Sequence, residues 1–474
     1  MGGQRGNRDR EAAQLTTHAL AGLLGLNVLF LASGTGLLWY LRGWENWVEL
    51  ARLAGLAYVG GIATVGSLWT LLLIAGVPFS LWIVVGVPLV VTVATVLAAR
   101  RRGRGRPHGG SVGTGQSLIV TAVGISAAGL LIEGLFRLSR LSGLYWWDAW
   151  SFWVPKAKAI YFFGKLDEQF FTTLPGSSYP PLIPVLDAAA FHVMGSPDVV
   201  TLHVQYWFFG VGFVWALAGL LAERVPAWIL WPFVLLLLVA PRIGRRFQIT
   251  EADLFLDYLF VLAAVLLVVW VLDQSRWRIV LTSVLLGGMV LTKREGILLA
   301  VVLLAAALVA SARQWRSAWP TIGVVAVVVA AVAVPWRIWY VMHGVASETP
   351  TDGGLDPTEN SERLWPSLRL AIDVLLSSDY WSVIIPVAAS ALILAALVRA
   401  YVLVVFFGVL VGLVTLGGGW ITWAIPELPI TQDLSGNPIV RYMGSAALLC
   451  VAASPLLLSA TWSAVTAGRQ VDGT

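Results

Sequence analysis

The chain reads as an all-α, polytopic membrane protein, and three observations predict it. Hydrophobic residues fill 58% of the 474 positions and charged residues only 12%, half of the roughly 25% usual in globular chains. Mean hydropathy is +0.81, and apolar runs near the ~20 residues that cross a bilayer recur along almost the whole length. The arginines gather in a few loops, as orientation signals do. A soluble reading would require a dozen fully buried helices, which surface-to-volume scaling does not allow.

Thirteen apolar runs fit membrane spans, at about 16–41, 50–75, 79–99, 116–138, 199–222, 226–241, 253–272, 278–292, 296–312, 319–341, 381–399, 401–423 and 441–463. The first could pass for a secretory signal with "LASG" as a poor cleavage site. Its apolar stretch is too long for a signal core, so it is read as an uncleaved span. The third closes on "ARRRGRGR", residues 99–106, five arginines without an acid, which assigns that end to the cytoplasm. Alternation then sends Arg224, Arg276, Arg278, Arg313, Arg316 and Arg399 to the same side. The opposite side receives segment 343–379, with seven acids against Arg363 and Arg369. The N-terminal tail falls outside despite Arg5, Arg8 and Arg10; fusing two of the first three spans would move it inside and change nothing downstream.

Organisation follows from these spans. Residues 1–115 form an N-terminal bundle with its basic cytoplasmic loop, 116–463 a main module, and 464–474 a short tail. The main module carries outer loops at 139–198, 242–252, 342–380 and 424–440. A multi-pass protein of the plasma (inner) membrane is expected, with the lipid bilayer as its first partner. Cys450 is the single cysteine, so no disulfide framework exists. The five histidines show no metal-ligand spacing, and no metal or other cofactor is expected. A net charge of +5 speaks here to orientation and not to nucleic acid.

The first outer loop holds "YWWDAWSFWVPKAKAIYFFGKL", residues 145–166, with three of the four lysines of the chain. Pro155 starts a helix and Gly164 ends it. Ala157, Ile160, Tyr161 and Phe163 would rest on lipid while Lys156 and Lys158 face phosphates, making an interfacial helix. "YPPLIPVLDAAAFHVMG" repeats the device, with Pro180, Pro181 and Pro184 at its entry and Gly195 at its end. Two such helices would form a shelf on the outer leaflet.

Asp148 sits where this shelf begins. It could cap a helix or pair with Lys156 or Arg140. Trp146, Trp147, Trp150 and Trp153 would instead desolvate a carboxylate and make it more basic, which suits a general base. Three further polar clusters fall at outer span ends. "PRIGRRFQITEADLFLDYLF", 241–260, carries Arg242, Arg245 and Arg246 against the positive-inside trend, for an anionic ligand or for ion pairs with Glu251 and Asp253. "LTKREGILL", 291–299, is a tight polar turn whose Lys293, Arg294 and Glu295 lie at or below headgroup depth. Charges there point to function, or the cations snorkel to lipid phosphate. "LSGNPIVRYMGS", 434–445, opens the last span with Arg441, and snorkelling is again the alternative. A cavity holding a lipid phosphate with a base beside it accounts for all four clusters.

These motifs resemble the GT-C superfamily of integral-membrane glycosyltransferases. The likeness is greatest to the bacterial branch related to protein O-mannosyltransferases and the lipid A aminoarabinose transferase, glycosyltransferase family 39 and its relatives. It covers roughly residues 116–463. "WDAW" with Asp148, then Tyr179-Pro180-Pro181 some 30 residues on, match the family in position and spacing; "LTKREG" is similar to its Lys-containing turn and "VRYMG" to its late Arg-Tyr. The family's second acid falls within "ITEAD", at Glu251 or Asp253, with Asp253 preferred. About ten residues follow the last span, so the soluble C-terminal domain of some members has no counterpart, and metal use of the oligosaccharyltransferase kind is less supported.

The resemblance implies a GT-C fold of about 13 transmembrane helices and a sugar donor carried on polyprenyl phosphate. The acceptor hydroxyl belongs to a glycan, lipid or protein that the motifs do not specify. Asp148 would be the base, Asp253 or Glu251 the second acid. Lys293, Arg441 and Arg245 or Arg246 would bind the donor phosphate, and Trp147, Trp150, Lys156, Tyr179 and Tyr442 would line the site. Transfer would invert the anomeric centre on the extracytoplasmic face. Two other classes stay open: a secondary transporter, which would carry its ionisable residues near mid-membrane, and a non-catalytic polyprenyl-lipid-binding protein.

Overall fold

The computed structural model describes residues 2–105, 107, 116–139, 143, 144, 146–246, 249–345, 361–425, 430 and 438–472. The described residues fold into helices and the turns between them, with no β-sheet among them. Nine of the described helices are long and apolar enough to cross a membrane, so the chain is a multi-pass membrane protein.

The N-terminal bundle is α1 (Gly2–Leu41), α2 (Trp47–Ile74) and α3 (Leu81–Arg101). Asn46 caps α2 by accepting from the Glu49 amide, as a short polar side chain does ahead of an apolar run. Glycines let α1 and α2 touch backbone to backbone. A Cβ at Gly34 would lie 1.6 Å from the Ala57 carbonyl, and one at Gly61 1.9 Å from that of Phe30, so both positions exclude any larger residue.

α4 (Gln116–Ser139) leads toward the first outer segment. Asp148 precedes a π-helical turn at Ala149–Trp153 that runs into α5 (Val154–Phe163), with α6 (Glu168–Thr173) and α7 (Leu182–Met194) following. Pro155 stands in the first turn of α5, and Gly164 ends it at φ +65°, a conformation glycine adopts without penalty. The expected shelf is not what forms. Every residue from Leu182 to Phe191 is buried, and α7 packs among α1, α2, α3 and α5. Lys156, expected to face lipid phosphate, is 1% exposed. A helix apolar on all sides gains most by burial.

The remaining helices are α8 (Val199–Leu221), α9 (Ala227–Val239), α10 (Pro241–Arg246), α11 (Ala252–Asp273), α12 (Arg276–Thr292), α13 (Glu295–Ala310), α14 (Trp315–Met342), α15 (Ser361–Leu376), α16 (Ser378–Trp381), α17 (Ile384–Leu397), α18 (Tyr401–Ala424) and α19 (Pro438–Asp472). Four of the expected spans are therefore short: α9 has 13 residues, α12 17, α13 16 and α17 14. The α12–α13 hairpin rises only about 25 Å at 1.5 Å per residue, less than the ~30 Å hydrocarbon core, so its turn at Lys293 and Arg294 stays inside the bundle. Gly296 permits the close hairpin, since a Cβ there would sit 2.2 Å from the Met289 carbonyl. α11 is the central helix, with its whole apolar window enclosed. α3, α4 and α14 lie at the periphery and leave Val90, Ile119, Val123, Val324 and Val327 exposed, the faces suited to lipid.

The two ends of the bundle carry different charges. At one end an ion network ties three turns together: Arg42 to Glu49 at 2.6 Å, Arg52 to Glu223 at 3.1 Å, Arg278 to Glu223 at 2.6 Å and Arg224 to Asp273 at 2.9 Å, with Arg278 also on Asp273. Arg104 of the basic stretch donates to the Leu41 carbonyl, so the arginine-rich loop belongs to this end. Asp273 closes α11 here; Asp253 begins it at the other end, roughly 30 Å away along the helix.

Candidate active site

The head of α11 begins at a Thr250-Glu251-Ala252-Asp253 segment, which puts an acid in the first turn, where the helix dipole favours it. Three other elements deliver charge to the same place. α13 starts with Glu295 in its first turn, α19 carries Arg441 and Tyr442 just after Pro438, and the segment before α5 brings Asp148.

Arg441 Nη1 donates to Asp148 Oδ2 and lies 3.4 Å from Asp253 Oδ2. The other oxygen of Asp253 accepts from Lys293 Nζ at 2.9 Å, and Lys293 is also 3.5 Å from Glu295 Oε1. Tyr442 donates its hydroxyl to Glu295 Oε1 at 3.1 Å. One turn deeper, Ser445 donates to Asp257 Oδ1. Asp253, Asp257, Lys293 and Glu295 are all buried. Such a group is costly to desolvate and persists only when its members satisfy one another.

The Tyr-Pro-Pro segment forms the wall over the cations. Tyr179 stacks on Trp153 with ring centroids 5.4 Å apart, and Lys293 Nζ and Arg294 Cζ lie 5.2 and 5.3 Å from its ring centre. Lys156 fixes this segment from behind: its ammonium donates to the Gly176 carbonyl at 2.6 Å and the Pro175 carbonyl at 3.2 Å, between the rings of Phe152 and Phe171. Burial would pull the Lys293 ammonium down, but Asp253 and Glu295 hold its pKa well above the ordinary lysine value. Burial pushes the Tyr179 phenol up to about 12, with Glu295 adding to the rise and the neighbouring cations opposing it. Lys293 is therefore charged and Tyr179 neutral at physiological pH.

Below the ionic group a narrow cleft runs between α11, α13, α18 and α19. Its head is Asp253, Asp257, Glu295, Arg441, Tyr442 and Ser445; its body is Leu256, Leu298, Leu299, Val302, Leu413, Val414 and Ile421. Gly417 and Gly418 of α18 face it, and a Cβ at Gly418 would meet Met443 at 2.4 Å. A polar head above an apolar body suits an amphiphile.

Asp148, Asp253, Lys293, Arg441, Tyr179 and Tyr442 thus converge. Of the two acids left open in "ITEAD", Asp253 bridges Lys293 and Arg441, while Glu251 is buried at the preceding position but one. Trp147 and Trp150 do not desolvate Asp148 as a closed wall: they are 54% and 51% exposed, and the contact made with the carboxylate is that of Arg441. Arg242 lies over the Tyr380 ring. The side chains of Arg245 and Arg246, Arg140, and the "ETPTDGGLDPTEN" stretch lie outside the described residues. Asp257 and Ser445 were not expected in the site. The signal was there, since Asp257 follows Asp253 by four residues and shares its helix face.

No protein-family model matches this chain, and no curated protein or solved structure matches it.

Proposed function

We propose that this chain is an integral-membrane glycosyltransferase with a GT-C architecture of about 13 membrane helices. It moves a sugar from a polyprenyl-phosphate donor to an acceptor hydroxyl on the extracytoplasmic face of the plasma membrane. The observation that carries the reading is Arg441 joining Asp148 and Asp253 at the head of an apolar-walled cleft. The sidedness is supported by the arginine-rich network at the far end of α11, which the positive-inside rule assigns to the cytoplasm.

The isoprenoid chain lies along the apolar body of the cleft and its phosphate competes with Asp148 for Arg441. The donor's phosphodiester carries one negative charge, like the carboxylate it displaces, and a guanidinium can grip its two free oxygens at once; the second charge appears only as the phosphate leaves. Asp148, released, takes the proton from the acceptor hydroxyl as that oxygen attacks the anomeric carbon. The bond from that carbon to the phosphate oxygen breaks through an oxocarbenium-like transition state, and the polyprenyl phosphate departs with the electron pair. Lys293 and Arg441 neutralise the charge growing on it. In-line attack inverts the anomeric centre. Tyr179 lies against Lys293 and Arg294, and Tyr442 holds Glu295, the carboxylate beside Lys293.

The test combines binding and turnover on the purified protein. Polyprenyl phosphate should raise the melting temperature more than bulk anionic phospholipid does, and Arg441→Ala should abolish the difference. Across a panel of polyprenyl-phosphate sugars, Asp148→Asn should lose about 10²–10⁴-fold in rate while melting normally. An active Asp148→Asn protein would sink the base assignment, and equal stabilisation by all lipids would sink the donor class.

One observation favours a secondary transporter instead. Asn27, Tyr58 and Gln205 form a buried hydrogen-bonded group between α1, α2 and α8, the kind of interior polar site a transporter uses. Solute uptake into proteoliposomes that survives Arg441→Ala would support that reading.

A further inference from the structure

A second cleft opens at the arginine-rich end, between the end of α11, the start of α18 and the C-terminal half of α19, with a volume of about 260 Å³. Its walls are apolar: Val269 and Leu272 from α11, Leu403 from α18, Leu456 from α19. Its polar lining is one guanidinium and two serine hydroxyls. Arg224 directs one Nη2 to Asp273 at 2.9 Å, and its Nε and Nη1 have no acceptor among the described residues. The side chain is 38% exposed. Ser463 is exposed on α19, one turn beyond Ser459, whose hydroxyl donates to the Arg224 carbonyl at 2.6 Å and fixes the arginine to the rim.

The surrounding charge has one sign in excess. The ion network holds Arg42, Arg52, Arg224 and Arg278 against Glu49, Glu223 and Asp273, and Asp273, the carboxylate bonded to Arg224, is already shared with Arg278. Arg399 ends the turn four residues before Leu403. An occupant must therefore present an anion to Arg224 and an apolar chain to the α11, α18 and α19 walls. A soluble anion satisfies the first demand only, and a zwitterionic lipid meets the second while bringing its own cation into an arginine-rich rim.

We infer that this cleft binds an anionic phospholipid of the bilayer, its phosphate on Arg224 and Ser463 and one acyl chain between α11, α18 and α19. Its occupant braces the same three helices that line the candidate active site at their opposite ends, but the inference does not rest on any activity.

The test uses the full chain in nanodiscs of phosphatidylcholine with and without phosphatidylglycerol, read by native mass spectrometry of retained lipid. One arginine near a lipid surface contributes about 1 kcal/mol, so phosphatidylglycerol should be retained roughly five-fold over phosphatidylcholine. Arg224→Gln should erase the preference. Ser463→Trp, which fills the mouth and leaves the ion network intact, should empty the cleft without lowering the melting temperature of lipid-depleted protein. That second variant decides the matter if Arg224→Gln misfolds. Equal retention of the two lipids, unchanged retention in Ser463→Trp, or equal stabilisation by inorganic phosphate would overturn the inference.

Discussion

Lys156 shows how much a single side chain can be misjudged from its type. In "VPKAKAIYFF" the alternation of lysine with small and apolar residues suggests a face turned to lipid phosphates, yet the ammonium is spent on two backbone carbonyls of the segment that carries Tyr179. Nothing in the local pattern distinguishes the two fates, because the carbonyls lie about 20 residues further along the chain. Lys156→Met should keep the packing and leave both carbonyls unsatisfied. A charge-assisted hydrogen bond contributes about 1.5–3 kcal/mol, so the melting temperature should fall by several degrees, and a fall of under one degree would show that the contact is dispensable.

Asp187 invites a second prediction at this scale. It is fully buried on α7, with Oδ2 accepting from the Tyr206 hydroxyl at 3.3 Å and Oδ1 without a partner among the described residues. Burial raises its pKa from 3.8 to about 8, although the Tyr206 bond opposes the rise. The native state therefore keeps a proton that the unfolded chain releases. Stability should decline as pH climbs from about 4 to about 8 and level off above that. Asp187→Asn should flatten that decline in melting temperature against pH; an unchanged slope would assign it to other groups.

Among the elements, the long apolar helices were legible from run length alone, and the charged stretches that meet at the site stood out because charge is scarce. α7 was not legible as a buried helix. Thirteen residues fall short of the ~20 that cross a bilayer, and prolines at the entry fit a helix lying on the surface as well as one sunk into the bundle. The deciding feature is that Leu182–Phe191 has no polar face, with Asp187 its one charged residue. Such a stretch has nothing to offer water or headgroups. The α12–α13 hairpin presents the converse case: its shortness was evident, and its turn buries Lys293 and Glu295 inside the bundle. Gly296→Ala places a methyl against the Met289 carbonyl and should cost about 1–3 kcal/mol, opening the turn. Polyprenyl-phosphate stabilisation should weaken along with thermal stability. A variant of ordinary melting temperature would mean the hairpin relaxes without strain.

For the whole molecule, the segregation of charge between the two ends was readable in outline, since loop arginines alone sort the sides. The gathering of the clusters that carry Asp148, Asp253 and Arg441 was readable from their place at outer span ends; the pairing of these side chains, up to 293 residues apart, was not. Orientation can be checked directly. Cys450 is buried, and single cysteines can be added to a Cys450→Ala background at exposed sites. Lys165→Cys should react with a membrane-impermeant maleimide in intact cells, whereas Arg101→Cys should react only after permeabilisation. The reverse pattern would put the candidate site in the cytoplasm.

The pairing of Arg441 with Asp148 and Asp253, and of Lys293 with Asp253 and Glu295, leaves neither cation uncommitted. Each cation at its head already has a carboxylate, so a visitor enters by exchange and must bring negative charge to take a carboxylate's place. A polyprenol offers the apolar walls a chain but carries nothing to trade. Bulk lipids with zwitterionic heads fare little better. Discrimination between a lipid carrier and the far more abundant membrane lipids around it would then rest on a swap of one anion for another, and the resting ion pairs would serve as the lock on an otherwise greasy and permissive channel.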